Sequence, residues 1–488
     1  MSILQPLPHW LLRFFLACIM VFPYTYEAVI PAGATSSWAR TIDVPGLRSL
    51  NSRGNAQVTS ISCPSTGNCA AGGYFWGSKP NPGAFVVDEV NSVWGRAIEI
   101  PGFVDLAPTV NSAAVNSVSC SSPGNCSAGG YYSNGSTRDQ AFVVNEVNGT
   151  WGNALEVPGS QSLNVSGNAM VNTISCTAPG DCAAGGSFGF DQIFTQGFVV
   201  DELDGVWGTA MSLDATSIDT ISCATPGNCS AGGSVETGKY NRDHDPQTEI
   251  VIADEVNGAW GSAVEPPGSV ALNSGGQANV DSISCATPGN CAAVGGYENS
   301  QPPNGYHSSN EALVVNEVNG VWTNAKEVPR SGVLNVGGGA GLNAVSCTTP
   351  GNCSAGGSYL LRTNHFEAFV VNEVDGQWGT ATEVPGVAIL NRFGDAEVSA
   401  ISCGSTGNCS AGGYVNGGDF KASLSGRAPF VVNEVHGRWK VAMIIHGVTA
   451  PNSNSEIDTL SCSNSGVCEA GGSYTDRVQS TQAFVTGR

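Results

Sequence analysis

The sequence predicts an all-β fold, an eight-bladed β-propeller with four antiparallel strands per blade, and three observations carry that reading. Cysteines recur in eight identically spaced pairs, and a tryptophan-bearing segment follows each of the first seven. The segment missing after the eighth pair stands instead ahead of the first.

The pairs are Cys63/Cys69, Cys120/Cys126, Cys176/Cys182, Cys223/Cys229, Cys285/Cys291, Cys347/Cys353, Cys403/Cys409 and Cys462/Cys468. With Cys18 in an N-terminal apolar stretch, they account for all 17 cysteines. Identical local pairs in even number read as a disulfide framework formed in an oxidising compartment. Zinc needs four converging ligands, whereas each cysteine here has only its own partner and no adjacent His. No metal and no cofactor is expected.

The pairs lie within a repeat of about 55 to 60 residues. One copy, Asn116 to Gly159, reads NSVSCSSPGNCSAGGYY, a variable stretch, then QAFVVNEVNGTWGNALEVPG. Strand a is the run seen at Val58 to Cys63, and a tight Pro/Gly/Asn turn leads to strand b at Cys69 to Tyr74. Strand c is the run at Ala84 to Val90. Pairs such as Asn148-Gly149 and Asp204-Gly205 supply the primed two-residue hairpin turn. Strand d, W-G-x-A-x-E-V, stops at Pro-Gly, where proline ends the ladder. Four such strands repeated radially form propeller blades.

Strand d carries Trp94, Trp151, Trp207, Trp260, Trp322, Trp378 and Trp439. The last unit has strands at Ile457 to Cys462, Cys468 to Tyr474 and Gln482 to Thr486, then no fourth strand before Arg488. Ser37 to Gly46 has the pattern of a strand d with no a, b or c before it. Docked beside Gln482 to Thr486 it completes the eighth blade, a split that an open solenoid has no reason to make. The tryptophans read as wedge-filling core between blades. The acidic position after the strand-c core (Glu89, Glu146, Glu202, Glu255, Glu317, Glu373 and Glu434) reads as solvated or backbone-pairing at the blade edge.

Trp10 to Tyr24 is apolar but interrupted by Arg13, and small residues follow from Ala28 to Ser36. Residues 1–35 therefore read as a signal peptide, with an uncleaved anchor as the alternative, and residues 36–488 as one propeller. A secreted or cell-surface monomer is expected, with no membrane contact beyond the N-terminal segment. Hydrophobic content of 41% suffices for a core, while 64 glycines, 25 prolines and only 12% charged residues favour short strands and turns. A net charge of −21 repels phosphate, which argues against nucleic acid and anionic membranes as partners.

Length variation falls in the b–c and d–a loops, on one face of the ring, and variable loops on a rigid scaffold are where binding is expected. The candidate ligand-binding residues there are the aromatics Tyr131, Tyr132, Tyr240, Tyr306 and Tyr359. With them stand His244, His307 and His365 and the acids Asp243 and Asp245, which together with Glu367 read either as a metal or acid–base cluster or, more simply, as solvated loop residues. No H-E-x-x-H, G-x-S-x-G or phosphate-binding loop occurs. Motifs such as ISCPSTGNCAAGG, Ile61 to Gly73, resemble the repeats of secreted bacterial propeller proteins of uncharacterised function. The resemblance spans Trp38 to Arg488 and implies the architecture, not an activity. The expected function is non-catalytic binding of a glycan or an extracellular protein surface at one composite site on the loop face. A polysaccharide hydrolase or lyase with acids at the ring mouth and a purely structural surface protein are the alternatives.

Overall fold

The computed structural model describes Trp38 and residues 41–488, except 79–81, 108–109, 136–137, 190–194, 241–243, 245, 301–307, 418–425 and 448–453. Eight separate antiparallel sheets follow the order a-b-c-d. In the first blade the strands are Ala56–Ser65, Asn68–Trp76, Pro82–Val90 and Val93–Trp94. The a strands are innermost and touch their neighbours all the way round, including the last, Ser455–Cys462, against the first. Ile42–Asp43 pairs with Thr481–Gly487, placing Ile42 opposite Val485 and Asp43 opposite Phe484. The eighth blade is thus built from both ends of the repeat region.

Eight disulfides clamp the a–b hairpins in the expected sequential pairing: Cys63–Cys69, Cys120–Cys126, Cys176–Cys182, Cys223–Cys229, Cys285–Cys291, Cys347–Cys353, Cys403–Cys409 and Cys462–Cys468. The second cysteine of each pair (Cys69, Cys126, Cys182, Cys229, Cys291, Cys353, Cys409 and Cys468) is buried. Strand alternation turns this first residue of the b-strand core into the blade junction, as the Ser127 hydroxyl 3.3 Å from Cys182 Sγ and the Ser354 hydroxyl 3.4 Å from Cys409 Sγ show. These sulfurs are core packing and offer nothing to a ligand.

The turn between paired cysteines has a second task. Asn125 Oδ1 accepts the Asn148 N–H at 3.2 Å, and the Gly124 carbonyl accepts the Gly149 N–H at 2.8 Å, so the a–b turn is stitched to the c–d turn. The same stitch recurs from Asn68, Asp181, Asn228, Asn290, Asn352 and Asn408. The Gly-Gly of strand b reflects two close approaches. A Cβ on Gly72 would stand 2.7 Å from Val115 of the next blade, and one on Gly73 would stand 1.9 Å from the Gln57 carbonyl of its own strand a.

The core is divided among eight apolar clusters that straddle blade junctions. Between blades 1 and 2, for example, Val86 of one strand c meets Val115, Val118 and Phe142 of the neighbour. Stability is therefore shared around the ring, because no blade buries its faces alone.

Two further elements differ from the sequence reading. Strand d is not one strand but two short ladders, Val93–Trp94 and Ile98–Glu99 in blade 1. Between them the chain turns to the neighbouring blade, where the Ala97 N–H donates to the Pro45 carbonyl at 2.8 Å. Among the described residues, strand d leads into a one-turn helix in six of the d–a connections, after Pro-Gly in five and after Pro329-Arg330 in the sixth, the first being Leu47–Leu50 after Gly46 at φ 79°.

Candidate functional site at the axial mouth

Strand a enters each blade from the loop face, so its first residues form the rim of the axial channel. At the rim position blades 2 to 6 carry Ala114, Met170, Ser217, Asn279 and Gly341, whereas blades 7, 8 and 1 supply the longer polar Glu397, Glu456 and Gln57. Directly opposite on strand b stand Tyr414 across from Glu397 and Tyr74 across from Gln57, and blade 2 adds Tyr131 across from Ala114.

Arg427, the first residue of strand c in blade 7, ties these groups together. Its guanidinium donates to Glu456 at 2.9 Å and to Asp395 at 3.1 Å, and its Cζ lies 3.9 Å above the Tyr414 ring. The Tyr414 hydroxyl stands 3.4 Å from both Asp395 and Glu397. The Tyr74 hydroxyl donates to Gln57 Oε1 at 2.9 Å. Burial raises the Tyr74 and Tyr131 phenols above their ordinary range, with nearby Asp458 and Asp139 adding to the effect. All three tyrosines are therefore neutral donors at physiological pH.

Farther down, each strand a carries a β-bulge. The bulged residues Thr59, Asn116, Asn172 and Asn343 donate across the junction to a carbonyl of the next blade, at 2.7 to 3.0 Å. Blades 4, 5 and 8 carry Asp219, Asp281 and Asp458 at this position. Asp219 and Asp281 are solvent-exposed by surface area, yet enclosure by the ring raises both carboxyls, Asp281 to about 7 with the neighbouring Asp219 adding to it. Burial raises Asp458 to about 7, with the adjacent Glu456 adding to it, and its Oδ2 is shut off from solvent without a hydrogen bond. The mouth thus joins three phenols, one guanidinium and a concentration of carboxyl groups. Among the described residues, no group of three or more His, Cys, Asp or Glu has the arrangement to hold a metal ion.

The candidate residues from the sequence separate in space. Tyr131 belongs to the mouth. Tyr132 and Tyr359 do not face a ligand: they are 1% and 2% exposed. Their rings pack against Phe103 and Phe369, and their hydroxyls donate to Glu156 and Glu383. The physical reason is strand alternation, which turns the residue after Tyr131 into the blade junction. Tyr240 is 62% exposed near the tip of a b–c hairpin, His244 is exposed in the same loop, and His365 is half-buried over Gly394. Asp243, Asp245, Tyr306 and His307 lie outside the described residues. Glu367, the acid beside His365, is 5% exposed and belongs to the core.

The strand-c acids also differ from expectation. Glu89, Glu146, Glu202, Glu255, Glu317, Glu373 and Glu434 are all 5% exposed or less. Each faces the preceding blade: Glu202, Glu373 and Glu434 accept from Asn145, Asn316 and Asn372. The tryptophan opposite each Glu makes a parallel contact, as in Trp207 Nε1 to Asn145 at 3.0 Å and Trp151 Nε1 to Asp88 at 3.0 Å. The indoles are wedges, as expected, and their N–H latches a side chain of the preceding blade.

A second recess, about 970 Å³, lies between blades 1 and 2 on the loop face. Leu50, Phe75, Phe103 and Val110 line it, and Glu99 is the one charged side chain among its described residues. Ser49, Ser52, Ser78 and Asn111 are its other polar side chains.

No protein-family model matches the chain, and no curated protein resembles it at a significant level. Among solved structures, the WD40 repeats of RRP9 share 8% identity at a TM-score of 0.44, covering 77% of this chain and 94% of that one. The GH74 enzyme of Niastella koreensis shares 11% identity at a TM-score of 0.42, covering 91% and 74%. A PL25 ulvan lyase shares 10% at a TM-score of 0.42, covering 83% and 96%. Similarity at this level says nothing about function.

Proposed function

We propose that this propeller is an extracytoplasmic, non-catalytic binding protein that takes a glycan at its axial mouth on the loop face. The observation that carries the reading is the gathering of Tyr74, Tyr131 and Tyr414 with Arg427, Asp395, Glu397 and Glu456 at one side of the rim. A sugar offers an apolar C–H face that packs on a phenol ring, and hydroxyl pairs that both donate and accept. Carboxylates and a guanidinium held in fixed geometry meet those hydroxyls with little ordering cost. Tyr240, His244 and His365, farther out on the loops, would contact the remainder of a long chain. Eight disulfides support an oxidising compartment.

One observation favours a hydrolase as the second reading. Asp458, raised to about 7, lies beside Glu456, which is ion-paired with Arg427. Two carboxyls with environments this different are what acid–base cleavage of a glycosidic bond uses.

The test is a glycan array probed with oxidised protein spanning residues 36–488, with every bound sugar then incubated and examined for cleavage. Binding without turnover is the expected result. Turnover would move the assignment to the hydrolase, and an array with no binding would sink the glycan reading and favour a protein partner.

A further inference from the structure

Seven of the eight blade junctions are built on one plan with two chemical versions; in the eighth, between blades 7 and 8, Arg488 takes the glutamate position and Trp38 Nε1 has no hydrogen bond. In the junctions between blades 2 and 3, 5 and 6, and 6 and 7, the strand-c position facing the next blade is an amide: Asn145, Asn316 or Asn372. Its Nδ2 donates to the buried glutamate of the next blade, and its Oδ1 accepts the tryptophan N–H at 2.8 to 3.0 Å. In that triangle the amide turns a donor to the glutamate and an acceptor to the indole.

Three other junctions place an aspartate where the amide stands. Asp88, Asp201 and Asp254 accept the tryptophan N–H at 2.9 to 3.0 Å, from Trp151, Trp260 and Trp322. A carboxylate has nothing to donate to the glutamate beside it, here Glu146, Glu255 and Glu317. Glu317 is 5% exposed and its Oε2 has no hydrogen bond. The junction from blade 8 to blade 1 reaches the same chemistry by another route. Gly487 stands in the aspartate position, and Glu469 from the adjacent strand b fills the space that glycine leaves, meeting Trp94 and facing Glu89.

We propose that these four junctions are proton-binding sites, in which one of two facing acids carries a proton, so that the ring is tight in mildly acidic surroundings and loosens as the medium turns alkaline. No cation intervenes. Glu146 faces Asp88, with Glu89 lining the same crevice; Glu317 faces Asp254, with Glu255 beside it; Glu255 faces Asp201. Among the described residues the only ion pairs are those of Arg48 and Arg427, far from these sites in the fold, and Arg488 beside Gly487 makes none. Burial first, and the facing carboxylate second, raise Glu146, Glu255 and Glu317 to about 7 and Glu469 to about 8. An acid whose folded value is raised holds extra protons in the native state. Its contribution is complete below the ordinary glutamate range near pH 4.5 and is lost as pH rises through 7 to 8.

The amide junctions supply the control. Asp88→Asn, Asp201→Asn and Asp254→Asn together convert three acid pairs into the version that blades 2, 5 and 6 already use. The wild-type Tm is expected to fall by about 5 °C or more between pH 5 and pH 8.5. The triple variant should match wild type at pH 5, melt higher at pH 8.5 and lose less than about half as much between them. The reverse set, Asn145→Asp, Asn316→Asp and Asn372→Asp, should steepen the wild-type slope while leaving the Tm at pH 5 nearly unchanged. Parallel pH profiles for wild type and either folded variant set would overturn the proposal.

Discussion

Deleting residues 37–46 is expected to lower the Tm by about 5 to 10 °C and to turn a single melting transition into a broader one. The segment supplies Ile42 and Asp43 to the ladder of the closing blade, and Val44, 1% exposed, donates its N–H to the Ala483 carbonyl at 3.2 Å. Asp43 also accepts from the Tyr474 hydroxyl and is ion-paired with Arg48. Burial of one valine is worth about 1.5 to 3 kcal/mol and each net hydrogen bond about 1 kcal/mol. The sum is a large part of a typical stability of about 5 to 15 kcal/mol. Deletion also uncovers the outer edge of Thr481–Gly487, leaving an unpaired strand that invites association between molecules. Differential scanning calorimetry with size-exclusion chromatography reads both effects. An unchanged Tm and a monomeric profile would contradict closure by this strand.

Reduction of the disulfides should act still more strongly. Each bond closes a hairpin with a sequence separation of 6, worth about 2 kcal/mol on the chain-entropy model. Eight of them together approach or exceed the stability of a typical domain. The second cysteine of every pair is buried, from 2% exposed at Cys468 to 7% at Cys182, so reductant added to folded protein will act slowly. Protein reduced in denaturant and refolded in the presence of reductant is expected to remain largely unfolded by near-ultraviolet circular dichroism, while oxidative refolding restores the native signal. Equal recovery under both conditions would show that strand packing alone carries the ring.

The architecture was legible in the sequence because each blade repeats the same local chemistry. The cysteine pair, the Asn-Gly or Asp-Gly turn and the strand-d tryptophan mark one blade after another, and the displaced Trp38 segment marks the closure. What stayed hidden depends on the neighbouring blade. The interruption of strand d at Ala97 answers to Pro45 in the adjacent sheet, and Glu202 is buried because Asn145 comes to meet it from the blade before. No local pattern contains those partners. The d–a helices did leave a trace, since each of five ends in a Leu-Asn pair. Its asparagine reaches a strand-c carbonyl, as Asn51 does to Thr481 at 3.0 Å and Asn164 to Asp139 at 2.8 Å. The axial mouth entered the sequence reading only through Tyr131 and as an alternative with unnamed acids, because variable loops drew attention away from regular strands. The signal was a variable position within the repeated strand a: Ala114, Met170, Ser217 and Gly341 in some blades, but Gln57, Glu397 and Glu456 in three consecutive ones around the closed ring.

Glycan affinity of two variant sets tests the placement of the site most directly, using the tightest sugar from the array and isothermal titration calorimetry. Tyr74→Ala and Glu456→Gln alter the axial mouth, whereas Tyr240→Ala and His244→Ala alter the outer loop. Loss of about tenfold or more in affinity for each mouth variant, a change of about 1.4 kcal/mol, with the loop variants within about twofold of wild type, is the predicted result. Loss of binding in the loop variants with the mouth variants unaffected would contradict the assignment and return the site to the variable loops.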